Sequence, residues 1–86
     1  MCSIGGVLIF GDLDAERAAA IEAKLRAIAE AAAERGRDSF GVVVLDRSGR
    51  YKAYKDRRSA PEALKDMPRM IDEGAVAAIF NDRAEP

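Results

Sequence analysis

The feature that most restricts the fold is a set of apolar residues at steps of three and four, Ala18, Ile21, Leu25, Ile28 and Ala32, lying between two apolar segments that lack that period. The spacing puts one stripe along a helix of 3.6 residues per turn. Gly11-Asp12-Leu13-Asp14 turns the chain ahead of the stripe and offers aspartates as N-caps, and Gly36, directly after Arg35, is the expected stop. The flanking segments, Ile4 to Phe10 and Phe40 to Leu45, are too short for helices and read as strands, the first buried on both faces.

Further along, Asp46-Arg47-Ser48-Gly49 has the composition of a turn, and Tyr51 to Lys55 alternates strictly. The pair predicts an antiparallel hairpin with one wet face, packed through Phe40, Tyr51 and Tyr54. Ser59-Ala60-Pro61-Glu62 has the form of a capping box with proline in the first turn, opening a short helix with Ala63, Leu64, Met67, Met70 and Ile71 that Pro68 kinks or divides. Gly74 stops it, and Ala75 to Phe80 reads as a last strand with an exposed apolar end. The expected order is β-α-β-β-α-β, an α+β domain with a mostly antiparallel sheet and its helices on one face.

Fourteen basic and fifteen acidic side chains nearly cancel, so no basic footprint points to nucleic acid or an anionic membrane. Lys52, Lys55, Arg57 and Arg58 then read as a solvated face. The longest apolar stretch falls well short of the ~20 residues that span a bilayer, and no basic region precedes it, so a cytoplasmic protein is expected. The one cysteine, Cys2, excludes an internal disulfide, and without histidine a structural zinc site has no ligand set. Neither metal nor cofactor is expected.

Two short runs carry more specific chemistry: Cys2-Ser3-Ile4-Gly5-Gly6 behind Met1, and Arg35-Gly36-Arg37-Asp38-Ser39-Phe40-Gly41 at the first helix-to-strand junction. On these the chain resembles the N-terminal part of a class II glutamine amidotransferase, an N-terminal-nucleophile hydrolase. That family opens Met-Cys-Gly-Ile-x-Gly and later carries Arg-Gly-x-Asp-Ser-x-Gly. Cys2, Ile4 and Gly6 fit the first pattern; Arg35, Gly36, Asp38, Ser39 and Gly41 fit the second; Ser3 replaces a glycine. Asn81-Asp82-Arg83-Ala84 is a weaker third match, where the family places an arginine.

The resemblance implies an αββα-type domain of which residues 1–86 are the N-terminal portion, completed by a downstream segment or a second polypeptide. It implies Cys2 as nucleophile once Met1 is removed, its α-amine, of ordinary pKa about 7.7 to 8, taking the thiol proton. Glutamine would be hydrolysed through a thioester, with ammonia passed to a synthase partner; phage-encoded nucleobase-modifying enzymes hold similar domains. Arg83 would anchor the substrate carboxylate, and Arg35 would join it in binding substrate while holding the N-terminal segment and keeping the Cys2 thiol ionised; Gly36, Asp38, Ser39 and Gly41 would brace the junction. The competing expectation is a non-catalytic amidotransferase-like assembly module bound to a partner chain. Without any function, Cys2 is a small strand residue and Arg83 a surface charge.

Overall fold

The computed structural model describes residues 2–35 and 38–84, with the Arg35 side chain excluded. The order is β1 (Ser3–Leu8), α1 (Ala15–Ala32), a 3-10 turn (Ala33–Arg35), β2 (Ser39–Asp46), β3 (Tyr51–Asp56), α2 (Ala60–Asp66) and β4 (Ala75–Arg83). The four strands form one sheet in the order β1-β4-β2-β3, every neighbouring pair antiparallel. This is the expected α+β arrangement.

Local signals account for the element ends. Asp14 caps α1, its carboxylate accepting from the Arg17 amide at 2.7 Å. In the hairpin turn, Asp46 Oδ1 accepts from the amides of Ser48 and Arg50 and from the Ser48 hydroxyl, and Gly49 takes the left-handed conformation with φ of 87°. The second helix stops at Asp66, because Met67 precedes Pro68 and is driven to an extended ψ of 127°. Ser59 is its N-cap, but its side chain makes no capping bond, and Glu62 reaches Lys65 instead of closing the expected box. The α-helical part of α1 ends at Ala32, short of Arg35, and Gly36, the expected stop, lies outside the described residues.

Packing rotates α1 by about one position from the expected stripe. Its buried residues are Ala18, Glu22, Leu25 and Ala29, whereas Ile28 is half exposed. Glu22 is drawn inward by unpaired donors: its Oε1 accepts from the amides of Met70 and Ile71 at 3.0 and 2.6 Å. Its Oε2 pairs with Arg26 at 2.8 Å, and the Arg26 guanidinium donates in turn to the carbonyls of Leu64, Met67 and Pro68. One turn of α1 therefore satisfies the irregular chain that follows α2.

The helices cover one face of the sheet. Phe40, Val42, Val44, Ala78 and Phe80 point into that core against Leu25, Ala29, Met67, Met70 and Ile71. The opposite face is bare: Ile4 and Leu8 on β1, Ile79 on β4, and Val43 and Leu45 on β2 form an exposed apolar surface. Two expectations are corrected here. β1 is an edge strand with Ile4 75% exposed, not one buried on both faces, and β4 is paired on both sides, so Phe80 lies at the sheet centre and leaves no open edge. Edge or centre is decided by which strands pair, a choice that the apolar runs do not encode.

Candidate functional site

Pairing order brings three separate segments to one end of the sheet. Ser3 lies opposite Asp82, Phe40 opposite Asp82 on the other side, and Ser39 opposite Arg83. The start of β1, the end of β4 and the start of β2 are thus neighbours, and the Asp38 amide donates to the Arg83 carbonyl at 2.9 Å to fix the junction. Of the residues singled out from sequence, Cys2, Asp38, Ser39, Gly41 and Arg83 all belong to this end. Cys2 is exposed just ahead of β1, and Arg83 is exposed on β4. The backbone of Arg35 sits in the 3-10 turn, which packs on β4; its side chain, Gly36 and Met1 lie outside what is described.

Because side chains alternate across a strand, this end has two different faces. On the open face, register places Asn81, Gly41 and Lys55 in one row, with Ser39 and Arg83 in the next. These residues and Arg57 line a groove of about 480 Å³, with Phe40 and Asp56 contributing to its wall. The Asp56 carboxylate is committed to Arg58, whose Nε and Nη2 donate to it at 2.9 and 2.6 Å, and to the Tyr54 hydroxyl at 2.9 Å. Those bonds, the Arg58 guanidinium first, hold Asp56 well below the usual carboxylate range.

On the core face lies a feature that sequence reasoning missed. Asp82 is completely buried, and among the described residues neither carboxylate oxygen has a hydrogen-bond partner. Burial alone pushes its pKa up to about 6. Alternation along β4, with Ala78 and Phe80 facing the core, could have located it two positions on. Lys55 and Arg57, expected as part of a solvated face, instead line this groove, Lys55 through its register opposite Gly41 and Arg57 from the chain just after β3.

No family model matches the chain, and no solved structure matches it. Three curated proteins do. A 7-cyano-7-deazaguanine synthase of Saccharolobus solfataricus is 40% identical over all 86 residues. 7-cyano-7-deazaguanine synthase 2 of Sulfurisphaera tokodaii is 38% identical, and a 7-cyano-7-deazaguanine synthase of Sulfolobus acidocaldarius 40%, each again over the whole chain. The chain spans about 18% of the length of these relatives.

These relatives correct the functional expectations. They carry the name of a deazapurine synthase, so the assignment to class II glutamine amidotransferases is withdrawn, and with it the N-terminal-nucleophile glutaminase activity, glutamine as substrate, the thioester and the phage setting. Nor do they support a non-catalytic assembly module. In each relative the matching stretch is part of one longer polypeptide, rather than a glutaminase piece completed by a second chain and feeding a separate synthase. The reason for the misreading is physical: the two motifs mark a glycine-rich strand start and a helix-to-strand junction, and such backbone features recur whatever chemistry is attached to them.

Proposed function

We propose that these 86 residues act as one domain of a 7-cyano-7-deazaguanine synthase, an enzyme whose product is a deazapurine bearing a nitrile. The observation that carries this reading is the identity of 38 to 40% over the whole chain with three proteins of that name. The bare apolar sheet face supports a place within a larger protein, since a contiguous exposed apolar surface on an antiparallel sheet marks a contact still to be made. A second sheet from the longer polypeptide would seat there, giving a helix–sheet–sheet–helix layering. Cys2 and Arg83, with Asp38, Ser39 and Gly41 bracing them, are our candidates for this domain's contribution to the reaction. A cytoplasmic enzyme is in keeping with the exposed free thiol of Cys2 and with the described residues, among which no helix is long and apolar enough to cross a membrane.

A segment exchange tests the proposal. In the Saccharolobus solfataricus relative, the matching stretch is replaced by these 86 residues, and 7-cyano-7-deazaguanine is followed by mass spectrometry. Product formation within about tenfold of the unexchanged protein is the expected result, with Cys2→Ala and Arg83→Ala in the exchanged segment lowering it by about a hundredfold. A chimera that unfolds cooperatively like the parent yet forms no product would overturn the reading.

A further inference from the structure

The groove on the open face combines two independent features. Arg83, Arg57 and Lys55 arrive from β4, from the residue just after β3 and from β3 itself, joined by the Ser39 hydroxyl and the Asn81 amide. None of the three cations forms an ion pair with a carboxylate among the described residues. Asp56, the one acid in the wall among the described residues, already has its charge answered by Arg58. Among the described residues the groove therefore carries three positive charges with no carboxylate paired to them, on a chain whose formal net charge is −1.

The second feature is the floor. Gly41 lies inside β2, a central strand, where glycine weakens the strand unless something must approach the backbone. Its φ is not in the left-handed region, and a Cβ built there would meet only Lys55 Cγ and the Tyr54 carbonyl, both at 3.8 Å, which is ordinary contact. Packing and backbone conformation do not call for glycine at this position. What the missing side chain does is keep the groove open beneath the three cations.

We propose that this groove is a binding site for a small phosphate-bearing molecule. Three cations exceed what a single carboxylate neutralises, whereas a phosphate group brings up to two charges and three peripheral oxygens that can accept from donors converging from several strands. The forked guanidinium groups of Arg83 and Arg57 take two oxygens each, Lys55 adds a point charge, and Ser39 and Asn81 supply neutral donors. A volume of about 480 Å³ holds a phosphate ester with its attached organic group and is far larger than a bare ion needs.

The test is an amide NMR titration of the 86-residue protein with inorganic pyrophosphate, with succinate as the dicarboxylate arm and sodium chloride at matched ionic strength as the third. Saturable shifts confined to residues 39–41, 55–57 and 81–83, with Kd on the order of 1 mM or tighter for pyrophosphate and at least about tenfold weaker for succinate, are expected. Gly41→Val, which fills the groove with a residue favoured in strands, should abolish the shifts while the far-ultraviolet dichroism is kept. Lys55→Ala/Arg57→Ala should weaken binding about tenfold and serves independently of how the valine variant folds. Equal response to pyrophosphate and succinate, shifts reproduced by chloride, or binding unchanged in both variants would overturn the proposal.

Discussion

Asp82 offers the sharpest quantitative test of the structure. A carboxyl group whose folded pKa is raised from 3.8 to about 6 binds its proton more tightly in the native state than in the unfolded chain. Well below pH 3.8 both states are protonated and burial exacts no electrostatic penalty. Between 3.8 and about 6 the unfolded state ionises first, so stability falls as pH rises, and above about 6 the full penalty is present. The interval corresponds to about 3 kcal/mol. Asp82→Asn keeps the shape and cannot ionise; its buried amide costs something, but the same amount at every pH. The stability of the variant minus that of the parent, from urea unfolding, should therefore become more favourable by about 2.5 kcal/mol between about pH 4 and about pH 7.5. Taking the difference cancels the opposite contributions of Asp46 and Asp56, whose lowered pKa values favour the folded state above the ordinary carboxylate range. A difference constant to within ~0.5 kcal/mol over that range would show that the Asp82 carboxylate is hydrated or paired, and the reasoning would be wrong.

Other variants probe the frame. Glu22→Ala leaves the Met70 and Ile71 amides without their acceptor and the Arg26 guanidinium without its carboxylate partner, and should lower unfolding stability by about 2 to 5 kcal/mol in urea. Gly6→Ala places a Cβ within 2.4 Å of the Ala78 carbonyl oxygen and must push β1 from β4, a loss of about 1 to 3 kcal/mol by thermal unfolding, with faster amide exchange in β1. Ile79→Lys on the bare face should change the stability of the isolated chain by no more than ~0.5 kcal/mol, yet impair the exchanged synthase, where that face would be covered. Arg58→Ala removes the main cause of the low Asp56 pKa, so titration of Asp56 followed by carboxyl NMR should move up toward the ordinary value.

The candidate site was legible only in fragments. Cys2, Ser39, Gly41 and Arg83 were marked by short motifs, and the sheet does bring them to one end. The chemistry attached to them was misassigned, because a handful of glycines and polar residues at a strand start specifies backbone geometry rather than substrate. Lys55 and Arg57 could not be placed from sequence: alternation puts Lys55 on a face of β3, but not opposite Gly41. Asp82 was passed over because a lone aspartate between Asn81 and Arg83 reads as surface, and only pairing on both sides of β4 buries it.

What the chain determines by itself is local. The N-cap at Asp14, the turn from Asp46 to Gly49, the end of α2 before Pro68 and the order of strands and helices follow from interactions within a few residues, which short-range chemistry controls. Tertiary structure decided that β4 enters between β1 and β2, joining segments up to about eighty residues apart. From that choice follow the central position of Phe80, the burial of Asp82 and the groove over Gly41, while the packing of α1 on the chain after α2 turns Glu22 inward. Each depends on which surfaces meet, and an alternating strand will accept more than one neighbour until the whole core is packed.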